Sequence, residues 1–173
     1  MEIRQLTVDD RDALTRFLAR VSDADRTFFK EDVSDPAALE AMVQPGPAKT
    51  VAIEAGEVVG WLDLVPLHGW SDHVGDVRLI VDPSYRGRGI GRMLARRAVL
   101  EAVTLGLRKV VVEVIAQQEE TIGMFRAVGF DPEALLADQV RDATGELRDL
   151  MILSQSVDAQ LSSMLAVGVT DEL

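Results

Sequence analysis

The sequence contains no cysteine, two histidines and a single tyrosine among its 173 residues. Without cysteine, disulfide bonds and catalysis by a thiolate are both excluded, which is typical of proteins from a reducing compartment. No hydrophobic run is long enough to cross a bilayer, and the charged residues near the start of the chain are unlike the apolar core of a signal peptide. We therefore expect a cytoplasmic protein that does not enter a membrane.

Basic residues are also scarce: 18 lysines and arginines stand against 29 aspartates and glutamates, which gives a formal net charge of −11. Proteins that bind nucleic acid need a basic surface for the phosphates, so no nucleic-acid partner is expected. An acidic surface attracts cationic partners over long range, although it also simply keeps a protein soluble. The composition leaves these two interpretations open.

The length and the 47% of hydrophobic residues are sufficient for one domain with its own core. We place this domain at residues 1–155 and assign residues 156–173 to a C-terminal helix or tail. The apolar patterns predict an α/β fold of the α+β type, with the order strand, helices, three strands, helix, strand, helix, two strands. Adjacent hairpins and one strand–helix–strand crossover imply a mixed sheet with helices on both faces.

The individual elements follow from local patterns. Strands are predicted at residues 2–6, 49–54, 58–64, 74–82, 109–116, 135–141 and 147–155. Helices are predicted after Thr7, over residues 23–30 with Phe28 and Phe29 as core anchors, from the capping pair Asp35 and Pro36, and over residues 90–105, 119–128 and 158–167. The valine-rich strand at 109–116 is predicted to be buried on both faces, with Glu113 as its lone charge.

The chemistry concentrates where a predicted strand gives way to a long helix, at residues 86–91, which read Arg-Gly-Arg-Gly-Ile-Gly. Glycines let the backbone approach a ligand and point successive N–H groups outward, and a helix N-terminus adds partial positive charge. The turn therefore predicts a site for a pyrophosphate. A P-loop is excluded because Gly91 is followed by Arg92 and Met93, and the glycine spacing does not fit a Rossmann fingerprint.

The turn matches the pattern Arg/Gln-x-x-Gly-x-Gly/Ala and thus resembles the GCN5-related N-acetyltransferase (GNAT) family. A second motif of that family, (Leu/Met)-(Tyr/Phe)-x-x-x-Gly-Phe, is matched by Met124, Phe125, Gly129 and Phe130. The resemblance covers residues 1–155. Within the family, residues 75–91 and 112–130 look most like the acetyltransferase domain of bacterial protein-lysine acetyltransferases.

The resemblance implies a mostly antiparallel sheet of six to seven strands in which acetyl-CoA lies between two splayed parallel strands, here residues 74–82 and 109–116. It implies that backbone groups hold the pantetheine arm and that the glycine turn holds the pyrophosphate. The implied cofactor residues are Ile80, Val81, Arg86, Gly87, Arg88, Gly89, Ile90, Gly91, Arg92, Gln118 and Phe125. No metal is expected, because His68 and His73 lack a third ligand.

Transfer to an amine requires removal of a proton, so the site needs a base or a water chain that leads from one. Asp76 is the first candidate, although regular alternation places Arg78 on the same face unless a bulge separates the two. Glu113 is the second candidate and Asp63 the third. Phe125 stands where the family often has a tyrosine that protonates the leaving thiolate, so here water or the product ammonium must supply that proton.

The predicted activity is transfer of acetyl from acetyl-CoA to a primary amine of a protein lysine, a protein N-terminus or a small molecule, and a cationic acceptor is favoured. The alternative is a non-catalytic acyl-CoA-binding regulatory domain. A third interpretation gives the tail at residues 158–173 a role in assembly, and a homodimer is left open. The acceptor side is expected at residues 21–44, at 67–73 and in the last strands.

Overall fold

The computed structural model describes residues 1–21, 35–142 and 144–158. The strands are β1 (Glu2–Gln5), β2 (Lys49–Glu54), β3 (Glu57–Pro66), β4 (Val74–Val81), β5 (Lys109–Ile115), β6 (Asp131–Arg141) and β7 (Leu147–Ser156). The helices are α1 (Arg11–Arg20), α2 (Pro36–Val43), α3 (Ile90–Thr104) and α4 (Glu119–Arg126). The predicted mixed α/β fold is confirmed. The helices predicted at 23–30 and 158–167 lie outside the described residues, except for residue 158.

The seven strands form one sheet in the order β1-β2-β3-β4-β5-β7-β6. Every neighbouring pair is antiparallel except β4 and β5, which are parallel. Only three residues of each strand pair here, Val74 to Asp76 with Lys109 to Val111. Beyond Asp76 the two strands separate, and we call the resulting opening the wedge.

Each face of the sheet is covered by its own helices and has its own apolar cluster. On one face α1 and α2 pack on alternate strand residues, among them Trp61 and Ile80, which are 1% and 7% exposed. On the other face α3 and α4 pack on Val77, Val112 and their neighbours. Asp76 and Arg78 alternate with Val77 and therefore lie on the α1/α2 face.

Local chemistry explains why several elements begin and end where they do. The Asp35 side chain accepts a hydrogen bond from Ala37 N at 3.0 Å, and Pro36 is the first residue of α2, as predicted. The β2–β3 hairpin turns through Ala55 and Gly56, whose φ angles are 52° and 81°. Gly106, with φ 70°, ends α3.

One prediction about the core needs revision. The prediction that β5 is buried on both faces is wrong, because Val110, Val112 and Val114 are buried whereas Glu113 is exposed. The helices that cover the α1/α2 face do not cover the side chain at this position. At the other end of the chain, Val157 is 2% exposed and its N–H donates to Arg108 O at 3.0 Å. Val157 therefore belongs to the apolar cluster on the α3/α4 face.

Asp10 joins β1 to α1 and gives a test of stability. Its carboxylate accepts hydrogen bonds from Arg4 at 2.6 and 2.7 Å and from Thr7 N at 2.9 Å. These bonds, with Arg4 the largest cause, lower the pKa of Asp10 to about 2 despite its burial. Because the folded pKa lies below the unfolded one, the stabilisation is present above about pH 4 and is lost as the pH falls through the folded pKa.

We therefore expect Asp10→Asn to lower the free energy of unfolding by about 2 kcal/mol at pH 7, and by much less near the folded pKa. Urea denaturation at both pH values measures the difference. An equal loss at both pH values would show that packing at Asp10, rather than its charge, is responsible.

Candidate active site

The predicted glycine turn lies between the end of β4 and the start of α3. Gly87 and Gly89 have φ angles of 74° and 82°, and Gly89 is the N-cap of α3. A Cβ added to either glycine would meet nothing within 4 Å, so the turn has open space beside its backbone. The left-handed glycines and the first turn of α3 together form a backbone surface that fits a pyrophosphate.

Side-chain contacts hold the backbone of this turn in place. The Asp82 side chain is buried and accepts a hydrogen bond from Ser84 N at 2.9 Å, and Arg20 Nε lies 3.4 Å from the Asp82 carboxylate. The Arg88 guanidinium lies 4.8 Å from the centre of the Tyr85 ring and 3.8 Å from the Glu54 carboxylate. These contacts between residues of the chain fix the conformation of the turn.

The wedge runs from the glycine turn back to Asp76. Its β4 side includes Ile80 and Val81, and its β5 side leads to Gln118, which precedes α4 as its N-cap. Ile80 packs into the α1/α2 cluster and Val81 against the opposite one. Their side chains therefore point to the two faces, and the backbone edge of β4 borders the wedge.

Asp76 lies where β4 and β5 part, and it is 2% exposed. Arg78 Nε donates a hydrogen bond to Asp76 Oδ2 at 3.0 Å. The register between β3 and β4 runs without a shift, so no bulge in this pairing separates the two side chains. Burial favours the neutral carboxyl form of Asp76, whereas the guanidinium favours the carboxylate and weakens it as a base.

The second candidate, Glu113, follows Val111 on β5 and shares the face of Asp76 and Arg78. The expectation that Glu113 is buried is wrong, since its side chain is exposed. Its charge raises the pKa of Arg78, although burial of Arg78 lowers that pKa more strongly. Arg78 and Glu113 thus interact electrostatically from the two sides of the wedge.

The structure supports the third candidate, Asp63, more strongly than the sequence does. It lies opposite Arg78 in the β3–β4 register and opposite Lys49 in the β2–β3 register. Burial raises the pKa of Asp63 to about 6; the charge of Lys49 opposes this rise and that of Asp76 adds to it. A carboxyl group that titrates close to neutral pH beside the wedge is suited to acid–base chemistry.

Phe125 is buried at 2% exposure, with its ring centre 5.2 Å from that of Phe130 in an edge-to-face arrangement. We expect Phe125→Tyr to keep the turnover of the parent or to raise it modestly, because the new hydroxyl would offer a proton for a leaving thiolate if it reaches the wedge. A hydroxyl buried without a partner would instead cost about 1–3 kcal/mol of stability. Turnover and thermal unfolding should be measured together.

Loss of acetyl-CoA binding in Phe125→Tyr would contradict this prediction, because it would mean that the position is too tightly packed to accept an oxygen atom. Phe130→Tyr is the matched control. Phe130 is 0% exposed and shares the contact, but it lies outside the predicted cofactor residues.

The loop between β3 and β4 carries the histidines. It includes a short 3-10 turn at Gly69–Ser71, in which Trp70 is 97% exposed. Both His68 and His73 are exposed. Across residues 1–21, 35–142 and 144–158, no three side chains of the types that ligate metals come together.

Within the same residues, no helix has the length and apolar character needed to cross a membrane.

Comparison with known proteins agrees with this geometry. The model of the acetyltransferase (GNAT) family matches residues 13–130. An uncharacterised N-acetyltransferase, YjgM from Escherichia coli (strain K12), is 29% identical over 135 residues, which is 75% of this chain and 81% of that protein. Mycothiol acetyltransferase from Nocardia farcinica (strain IFM 10152) is 38% identical over 97 residues, 56% of this chain but 30% of that enzyme.

Among solved structures, yncA from Salmonella typhimurium with its cofactor acetyl-CoA has a TM-score of 0.72. It is 22% identical, and the match covers 91% of this chain and 94% of that one. The chain therefore belongs to the acetyltransferase (GNAT) family, and it is an acetyl-CoA-dependent acetyltransferase.

Proposed function

We propose that this protein transfers the acetyl group of acetyl-CoA directly to a lysine-like primary amine of a cationic acceptor. One observation carries the proposal: the wedge leads from the left-handed glycine turn at one end to the buried carboxylate of Asp76 at the other. This arrangement supports a pyrophosphate at the turn and a thioester near Asp76, with the acceptor arriving on the α1/α2 face.

The cofactor residues are proposed from their positions around the wedge. The backbone of Ile80 and Val81 would pair with the pantetheine arm, as an added strand would. Gln118 and Phe125 would line its β5 side. The pyrophosphate would be held by the amides and cationic side chains of Arg86, Gly87, Arg88, Gly89, Ile90, Gly91 and Arg92.

The acceptor nitrogen loses two protons during the reaction. The acceptor ammonium gives a proton to the Asp76 carboxylate, and the neutral nitrogen then attacks the thioester carbon. The C–N bond forms, the C–S bond breaks, and a backbone N–H near Val81 stabilises the oxyanion. The nitrogen loses its second proton as the tetrahedral intermediate collapses to the amide, and the leaving thiolate takes up that proton directly or through water. Glu113, exposed on the wedge, adds negative charge that attracts the cationic acceptor.

Two observations support the class of acceptor. Asp63, Asp76 and Glu113 share the α1/α2 face, and the whole chain carries a net charge of −11. The resemblance of residues 75–91 and 112–130 to protein-lysine acetyltransferases favours a lysine side chain, whereas the name of the Nocardia farcinica relative refers to a small molecule. We propose the lysine-like amine because it is common to cationic peptides and small amines.

A panel of amines tests the proposal. Lysine-containing peptides, peptides with free N-termini, polyamines and aminoglycosides are incubated with acetyl-CoA, and free CoA is measured with a thiol reagent. We expect CoA release with at least one cationic primary amine and none with a permethylated analogue. Calorimetric binding of acetyl-CoA without CoA release from any amine would favour the alternative, a non-catalytic acyl-CoA-binding regulatory domain.

A further inference from the structure

Charged side chains form a row across the α1/α2 face of the sheet. Lys49 on β2 is opposite Asp63 on β3, and Asp63 is opposite Arg78 on β4. Asp76 precedes Arg78 by two residues on the same face, diagonally across from Asp63. Diagonal neighbours in an antiparallel pair lie about 7–8 Å apart at their Cα atoms, which is within reach of a charge interaction. We call Asp63 and Asp76 the aspartate pair.

The two members of the aspartate pair have different partners. Asp76 accepts a hydrogen bond from Arg78 Nε at 3.0 Å. Asp63 has Lys49 Nζ at 3.9 Å, and within the part of the chain that the structure describes its carboxylate accepts no hydrogen bond. The same Lys49 Nζ donates hydrogen bonds to two carbonyl oxygens near the end of α2, Gln44 O at 3.1 Å and Ala41 O, so Asp63 receives only part of its charge.

Within residues 1–21, 35–142 and 144–158, the charges that face Asp63 come from the two strands beside it. Lys49 on β2 lowers the pKa of Asp63, Asp76 on β4 raises it, and Arg78 stands directly opposite. With burial as the largest cause, the pKa of Asp63 is raised to about 6. Like charges act on each other equally, so an ionised Asp63 also disfavours the carboxylate form of Asp76.

We propose that Asp63 is a positioning residue for acetyl transfer, whose negative charge offsets Arg78 and keeps Asp76 basic enough to accept the proton of the acceptor ammonium. This inference rests on the proposed function, in which Asp76 is the base. Asp63 touches neither substrate in the proposal, because it acts through Asp76. The sequence ranks Asp63 last among three candidates and does not connect it to Asp76.

The proposal has a definite dependence on pH. Above the pKa of Asp63 its negative charge offsets that of Arg78, and Asp76 is a competent base. Below that pKa Asp63 takes up a proton, its repulsion disappears, and the Arg78 guanidinium holds Asp76 as a weaker base. The aspartate pair titrates as a unit, so the acid limb of kcat/KM belongs to both members.

The experiment compares pH profiles of kcat/KM from pH 5 to 9, using the best amine of the panel. For the wild-type protein we expect an acid limb near pH 6, in accord with the pKa of Asp63. Asp63→Asn should move that limb down by about one pH unit and lower kcat about tenfold, with little change in the KM for acetyl-CoA. Lys49→Met should move the limb upward, because it removes the charge that lowers the pKa of Asp63.

The exposed Asp131 at the start of β6 provides the matched control, and Asp131→Asn should leave the profile unchanged. A second measurement does not need turnover: carboxyl carbon NMR follows Asp63 in the parent and in Asp76→Asn. Because the coupling is mutual, the Asp63 pKa should fall in Asp76→Asn.

The outcomes separate the two proposals. A wild-type protein that acetylates no amine overturns the proposed function and this inference with it. An active protein in which Asp63→Asn keeps the parental acid limb overturns the inference alone. The same holds if the NMR titration of Asp63 is identical in the parent and in Asp76→Asn, or if Lys49→Met moves the limb downward.

Discussion

Asp76→Asn should lower kcat/KM for the amine by about 10²–10⁴-fold near neutral pH, the range that a general base contributes. The asparagine keeps the shape of the side chain and still offers an oxygen to Arg78 Nε. In the parent protein this nitrogen lies 3.0 Å from Asp76 Oδ2. What it loses is the capacity to accept a proton at the point where β4 and β5 part.

The deficit should shrink as the pH rises toward the pKa of the acceptor amine, because a neutral amine no longer needs a base. Affinity for acetyl-CoA should not change, since the glycine turn lies at the other end of the wedge. Steady-state kinetics over pH and calorimetric titration measure the two quantities.

Glu113→Gln is the companion variant, because Glu113 lies on the same face but is exposed. We expect a higher KM for a cationic amine and a kcat close to that of the parent protein. If Asp76→Asn turns over normally at every pH and Glu113→Gln does not, the role of base moves to Glu113. If both variants behave like the parent, no carboxylate base is needed and the site works by positioning alone.

Gly89→Val should reduce the affinity for acetyl-CoA at least about tenfold, which corresponds to the 1–2 kcal/mol per residue that a side chain costs in the left-handed region. Gly89 has φ 82° and is the N-cap of α3. A Cβ there would meet nothing within 4 Å, so a clash inside the protein is not the cause. The valine instead strains the turn and occupies the open space that a pyrophosphate needs.

Gly56→Val supplies a closely matched control for backbone strain. Gly56 has φ 81°, also has nothing within 4 Å of an added Cβ, and lies in the β2–β3 hairpin, outside the proposed site. Both variants should lose similar thermal stability, but only Gly89→Val should lose acetyl-CoA in calorimetric titration. Equal affinity for acetyl-CoA in the two variants would show that the pyrophosphate does not bind at the glycine turn.

Features set by local chemistry were predicted well from the sequence. The cap at Asp35 and Pro36, the turn at Gly56 and the glycine turn each depend on a few neighbouring residues with restricted backbone angles. A parallel strand pair followed from the strand–helix–strand crossover in the apolar patterns, and the resemblance to a family added that these two strands separate around acetyl-CoA. The glycine turn marks the end of β4, the first of the two strands.

Features set by contacts between distant residues were predicted poorly. The exposure of Glu113 depends on whether a helix from elsewhere in the chain covers it, which the valines of β5 do not reveal. Alternation along β4 predicts that Asp76 and Arg78 share a face, but the pairing of β4 with β3, which is distant in sequence, decides whether a bulge separates them. The importance of Asp63 depends on the register of three strands at once, since Lys49, Asp63 and Arg78 are far apart in sequence.

The short parallel pairing also has a mechanical consequence. Three residue pairs join β4 to β5, so the sheet consists of a four-stranded part and a three-stranded part that share little backbone hydrogen bonding. A donor molecule lying between them would replace the missing hydrogen bonds and act as an extra strand. Ligand that binds only the folded state stabilises it in proportion to the logarithm of its concentration. The resistance of this protein to unfolding should therefore follow the supply of its own acetyl donor.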